Sequence, residues 1–106
     1  MAWSVKNNNL TMVEGDWGIS LPVSVDGVEF AANDMLRFTF KDANNGNELL
    51  MKEYAPVDGT VNLMFTEAES ALFPVGSYVY SLDWYQEGAF LCNVTPTAAL
   101  KVVDKA

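Results

Sequence analysis

The chain has 106 residues, half of them apolar, with a net charge of −8, one cysteine and no histidine. That length fits one domain able to bury a core without disulfides or metal, and the apolar content excludes a disordered chain. The acidic balance argues against phosphate backbones and anionic membrane surfaces, so neither nucleic acid nor membrane is an expected partner.

The start, "MAWSVKNNNL", lacks a basic segment followed by an apolar run, so no secretory leader is expected there. "WGISLPVSV" (17–25) alternates, with Ile19, Leu21, Val23 and Val25 on one face, and Pro22 implies an edge or a bulge. "MLRFTFK" (35–41) sets Leu36, Phe38 and Phe40 against Arg37, Thr39 and Lys41, the pattern of a half-buried strand. "ELLMKEYA" (48–55) is a weaker strand. "VNLMF" points Val61, Leu63 and Phe65 inward. Asp26-Gly27, Asn45-Gly46, Asp58-Gly59 and Glu87-Gly88 supply the turns.

"TEAESALFPVGSYVYSLDW" (66–84) changes rhythm halfway. Thr66 and Glu69 have capping-box spacing, predicting a short helix with Ala68, Ala71 and Leu72 inward, stopped by Pro74 and Gly76. The strand that follows points Tyr78, Tyr80, Leu82 and Trp84 one way; "AFLCNVT" does the same with Phe90, Cys92 and Val94; "ALKVV" is a last strand. Strands at this spacing predict an all-β fold, a sandwich or a small barrel. The short helical crossing followed by Tyr78 points to an immunoglobulin-like antiparallel β-sandwich of about seven strands with one short helical turn. In that fold Tyr78 takes the place of the corner tyrosine that bonds back to the crossing loop, so Thr66, Glu69, Gly76 and Tyr78 form the structural corner. The expected core is Ile19, Leu21, Val23, Leu36, Phe38, Phe40, Val61, Leu63, Phe65, Leu72, Tyr80, Leu82 and Phe90.

Catalytic chemistry finds little to work with. Without histidine, Ser–His and Cys–His machinery is excluded. A lone Cys92 cannot build a zinc site and reads as a small buried hydrophobe. Asp83 beside Trp84 and Tyr85 resembles a sugar site superficially, but alternation puts Asp83 and Tyr85 on the face opposite Trp84. Asp42 and Glu53 have the first-to-twelfth spacing of a calcium loop, yet Gly46 and Asn47 break its pattern, leaving a polar hairpin loop. The sequons at Asn9 and Asn93 read as chance matches in a chain expected to have no leader. No catalytic residue, metal or cofactor is therefore expected. Among the aromatics, Trp3, Trp17, Trp84, Tyr54, Tyr80 and Tyr85 hold any exposed platform for sugar or protein, with Trp3 and Tyr85 expected to be exposed.

Val13-Glu14-Gly15-Asp16, the strand Leu36–Asp42 and "LMFTEAESALFPVGSYVYSLDW" (63–84), followed by one hairpin, resemble small immunoglobulin-like modules of tailed-phage and prophage structural proteins. The N-terminal domain of upper-baseplate proteins is the nearest match, through Gly15-Asp16, Thr66, Glu67, Leu72, Gly76, Tyr78, Tyr80 and Leu82. The resemblance implies a non-enzymatic tail or baseplate module that docks onto other phage structural proteins, located in a virion or the bacterial host cytoplasm. Homo-oligomers are expected through strand edges at 48–55, 99–103 and 10–13, or through Trp3 and the face carrying Val79, Ser81 and Tyr85. The alternative is a carbohydrate-binding module that uses exposed aromatic rings.

Overall fold

A computed structural model describes residues 4–6, 9–18, 20–26 and 30–104. The fold is all-β, with eight strands and one short helix among these residues: β1 (Ser4–Lys6), β2 (Leu10–Val13), β3 (Leu21–Asp26), β4 (Asp34–Asp42), β5 (Glu48–Tyr54), β6 (Thr60–Leu63), α1 (Glu67–Ser70), β7 (Gly76–Gln86) and β8 (Ala89–Val103). They form a three-stranded sheet, β1-β3-β6, and a five-stranded sheet, β2-β8-β7-β4-β5. Ile19 and the turn at Gly27 lie outside the described residues.

One core joins the two sheets, and strand alternation builds it. Leu36, Phe38 and Phe40 of β4 and Tyr80, Leu82 and Trp84 of β7 face Val23 and Val25 of β3 and Val61 and Leu63 of β6. Phe40 touches four rings, Phe38, Phe65, Phe73 and Tyr80. Each such buried side chain contributes about 1.5–3 kcal/mol, so this aromatic cluster dominates the packing.

The five-stranded sheet is mixed rather than antiparallel. β2 runs parallel to β8, with Leu10 opposite Leu100 and Val13 opposite Val103. Only residues 7–9 lie between β1, in one sheet, and β2, in the other. β2 covers β8, so that strand is interior and not the free edge that its sequence suggested. Pro22 sits in β3 opposite Asn62 of β6, and among the described residues β1 pairs with Ser24–Asp26.

The turns obey their dipeptides. Asp58 and Gly59 both have positive φ, and Val57 and Thr60 exchange backbone hydrogen bonds of 2.9 Å across them. A side chain at position 59 would also meet the Val25 carbonyl at 3.0 Å. In the calcium-like loop the Asp42 and Asn45 side chains accept from the backbone N–H groups of Asn44 and Asn47, capping a hairpin turn. Buried Asp34 is held by a turn of its own, its carboxylate accepting from the Ala31 N–H at 2.8 Å.

Two expected core residues face solvent. Leu72 is exposed, as are Ala68 and Ala71, while Ser70 and Phe73 are buried. A helix of four residues presents no 3.6-residue stripe, and its end tightens through the bonds from Leu72 N–H to Glu69 O and Phe73 N–H to Ser70 O. Phe73 thereby enters the ring cluster against Phe40, Phe65 and Tyr78. Phe90 is 59 % exposed because the β7–β8 register shifts. Tyr85 lies opposite Phe90 but Trp84 opposite Cys92, which leaves Leu91 as an extra residue and turns Phe90 to the outer face.

Candidate functional site

The helical crossing is tied down by polar groups at its start. Thr66 Oγ1 accepts from the Glu69 N–H at 3.2 Å, and Glu69 Oε1 accepts from the Thr66 N–H at 2.9 Å, completing the capping box. Glu69 Oε1 also pairs with Lys52 Nζ of β5 at 2.7 Å. Lys52 donates a second bond to the Met64 carbonyl. Tyr54 OH donates to that carbonyl at 3.1 Å and accepts from the Met64 N–H at 3.3 Å. Together these bonds bind the edge of one sheet, β5, to the end of β6 in the other. Burial by itself would lower the Lys52 pKa, but its bonds to Glu69 and Tyr54 outweigh burial and hold it above the ordinary lysine value. Burial would raise Glu69, and the bonds from Lys52 and Thr66 hold it below the ordinary carboxylate value. The corner closes with Tyr78 OH donating to the Pro74 carbonyl. Thr66 and Glu69 thus cap the start of the crossing, and Tyr78 bonds back to its end, two residues after Gly76 opens β7.

Beside this clamp lies an open groove of about 430 Å³, lined by Trp17, Gly18, Lys52, Tyr54, Met64, Phe65, Thr66 and Glu67. Trp17 is 54 % exposed, and its loop is pinned by the bond from Gly18 N–H to Phe65 O at 2.9 Å. A smaller hollow of about 110 Å³ meets Trp17 too, between Met12, Leu21 and Phe65. The hydroxyl of Tyr54 is bonded to the Met64 backbone, so the groove offers mainly apolar surface, with Trp17 as its one well-exposed ring.

The other expected interaction residues stand on the outer face of the five-stranded sheet. Val79, Ser81 and Tyr85 alternate along β7 and are half-buried. The Arg37 guanidinium lies 4.0 Å from the Tyr85 ring centroid, donates to Tyr85 OH at 2.8 Å and pairs with Glu53 at 3.4 Å. Asn93 donates to Asp83 at 2.8 Å, so that aspartate belongs to an outer-face ladder. Phe90 packs edge-on against Tyr85, ring centroids 5.7 Å apart, and Leu91 beside it is 47 % exposed. The sequence indicated Tyr85 but neither Phe90 nor Leu91. Trp3 lies outside the described residues, and Trp17 is the exposed tryptophan, since Trp84 is buried with Phe30 against it. Trp17 and Met64 are far apart in the chain, and no local pattern joins them into a groove. Burial, and then the nearby Asp83, push the Cys92 thiol up, as suits a cysteine packed against the core.

No family model matches the chain, and a search of curated proteins gives no match.

Proposed function

We propose that this chain is a non-enzymatic docking module that self-associates, a tail- or baseplate-associated part of a tailed phage or prophage with an immunoglobulin-like sandwich fold. Two features support the fold reading: a three-stranded sheet sharing its core with a longer one, and the tyrosine corner from Tyr78 to Pro74 after a short helical crossing. The phage reading rests on the resemblance carried by Gly15-Asp16, Thr66, Glu67, Leu72, Gly76, Tyr78, Tyr80 and Leu82. The observation that carries docking is the set Arg37, Tyr85, Phe90 and Leu91, which sits on paired strands and leaves apolar surface in water. Arginine and aromatic side chains are the residue types enriched at interface hot spots.

Light scattering at micromolar concentration and physiological salt is expected to give a dimer or a larger closed assembly. Mutual repulsion of acidic copies is screened over about 8 Å under those conditions. A species that stays near the monomer mass of 11.7 kDa at high concentration would defeat the self-association reading. Tail, capsid or lysis genes beside its own gene are the expected outcome of sequencing that locus; unrelated metabolic genes would defeat the phage reading.

A further inference from the structure

We infer that Asn45 is a self-modifying site. In the folded chain the backbone nitrogen of Gly46 attacks the Asn45 side-chain amide, and the residue becomes aspartate or isoaspartate without an enzyme. This site lies in the β4–β5 turn and owes nothing to the docking reading.

The reaction is an internal acyl transfer, helped by the closeness of the two groups in the chain. The Gly46 nitrogen adds to Cγ of Asn45, its proton passes through solvent to the departing amide nitrogen, and ammonia leaves as a five-membered imide closes. Water then adds to one of the two imide carbonyls and breaks its bond to the shared nitrogen. Opening at Cγ restores the normal backbone with an aspartate side chain. Opening at the main-chain carbonyl sends the backbone through the side chain, as isoaspartate.

The turn favours this chemistry in three ways. Asn45 is the only asparagine of the chain that precedes a glycine, so no side chain on the attacking residue crowds the approach. A Cβ at position 46 would meet nothing within 4 Å, and residues 43–48 are all exposed, so water reaches the imide. The Asn47 N–H already donates to Asn45 Oδ1 at 2.8 Å, where it meets the negative charge that gathers on this oxygen as Gly46 adds. One feature opposes the attack: the Gly46 N–H donates to the Asp42 carbonyl at 2.9 Å. The reaction therefore waits on local opening of the turn, which costs little in an exposed loop.

A second turn shows what the fold withholds. Asp58-Gly59 can close the same imide by losing water instead of ammonia. There a Cβ at position 59 would meet the Val25 carbonyl at 3.0 Å, and the Gly59 carbonyl accepts from the Val25 N–H at 2.8 Å. Val57 and Thr60 exchange two further bonds of 2.9 Å around it. Opening that turn breaks contacts with β3. Conversion at Asn45 adds one negative charge to the −8 of the chain. Isoaspartate also lengthens the main chain by one carbon in a loop closed by the bond from Asp42 N–H to Asn47 O at 3.0 Å. That loop leads into the edge strand β5, beside the register shift at Phe40 and Lys41.

The test incubates the whole chain at mildly alkaline pH. Isoelectric focusing follows the added charge, mass spectrometry of proteolytic fragments places it, and isoaspartyl methyltransferase labels the isoaspartate. Asn45 is expected to convert before every other asparagine. Asn45→Gln, whose longer side chain cannot close a five-membered imide, is expected to lose the early acidic shift. Asp58→Asn sets the same dipeptide in the pinned turn, at a positive φ that asparagine tolerates. In that variant position 45 is expected to convert more than about tenfold faster than position 58 while the chain is folded, because the pinned turn opens less often. The two rates should draw together in urea. Conversion of another asparagine ahead of Asn45 would overturn the inference. So would an Asn45 that stays intact in the folded chain and converts only in urea, since the closed turn would then protect it. Equal rates at 45 and 58 in the folded variant would remove the fold from the choice of site and overturn its assignment to this turn. If circular dichroism shows that Asp58→Asn has unfolded, the order of conversion in the wild type decides.

Discussion

The crossing from Thr66 to Tyr78 and the hairpin end from Tyr85 to Leu91 each contain a phenylalanine followed by another large side chain or a proline, and they treat it in opposite ways. Phe73 is fully buried against three rings, between the Thr66–Glu69 capping box and the bond from Tyr78 to Pro74. Phe90 touches Tyr85 by its edge and leaves more than half its surface in water. The first region fixes the two sheets to each other. The second leaves apolar surface in water. The difference comes from the backbone: a tightened helix end turns Phe73 in, and a bulge turns Phe90 out.

The largest expected effect tests that contrast directly. Phe73→Ala should destabilise the fold by about 3–5 kcal/mol, the usual cost of an emptied aromatic core position. Phe90→Ala should stay within about 0.5 kcal/mol, as exposed positions do. Urea unfolding of both variants measures it; comparable losses at the two sites would erase the distinction between a buried and an exposed phenylalanine.

A smaller effect sharpens the role of the corner. Tyr78→Phe keeps the ring against Phe73 and removes only the hydroxyl that donates to Pro74. A loss of about 0.5–1.5 kcal/mol is expected in thermal or urea unfolding. No change would mean that the ring alone holds the corner.

The smallest effect is that of pH on the clamp. Glu69 has a folded pKa held below its ordinary value of 4.5, so its contribution is present above about pH 4.5 and is lost as pH falls through the lowered value. Lys52 is held above 10.5, so its contribution is present below that pH and is lost as pH rises through the raised value. Tyr80 strengthens the alkaline limb: burial pushes it from 10.0 up to about 12, and its contribution fades as pH rises through that range. Melting curves from pH 3 to 12 are expected to show both limbs in the wild type. Lys52→Met should flatten the acid limb but leave the Tyr80 part of the alkaline one. A variant that keeps the wild-type acid limb would show that Glu69 draws its low pKa from elsewhere.

The sequence by itself determined what depends on near neighbours. Alternation in β4 and β7 placed Leu36, Phe38, Phe40, Tyr80, Leu82 and Trp84 correctly, because successive side chains of a strand must point to opposite faces. Asp58-Gly59 and Thr66…Glu69 stated their own turn and cap. Tertiary structure decided what depends on a partner strand. Phe90 follows the same alternation as Val94, yet one is exposed and the other buried, because the β7–β8 bulges reset the register between them. The edge status of β8 was settled by β2, whose paired residues lie ninety positions earlier in the chain, Leu10 opposite Leu100, and which covers it. The groove exists only where Trp17, Tyr54 and Met64, from a loop and from the edges of two sheets, come together. Such a surface has no period and no spacing in the sequence, since packing across the core alone brings its walls within reach of one another.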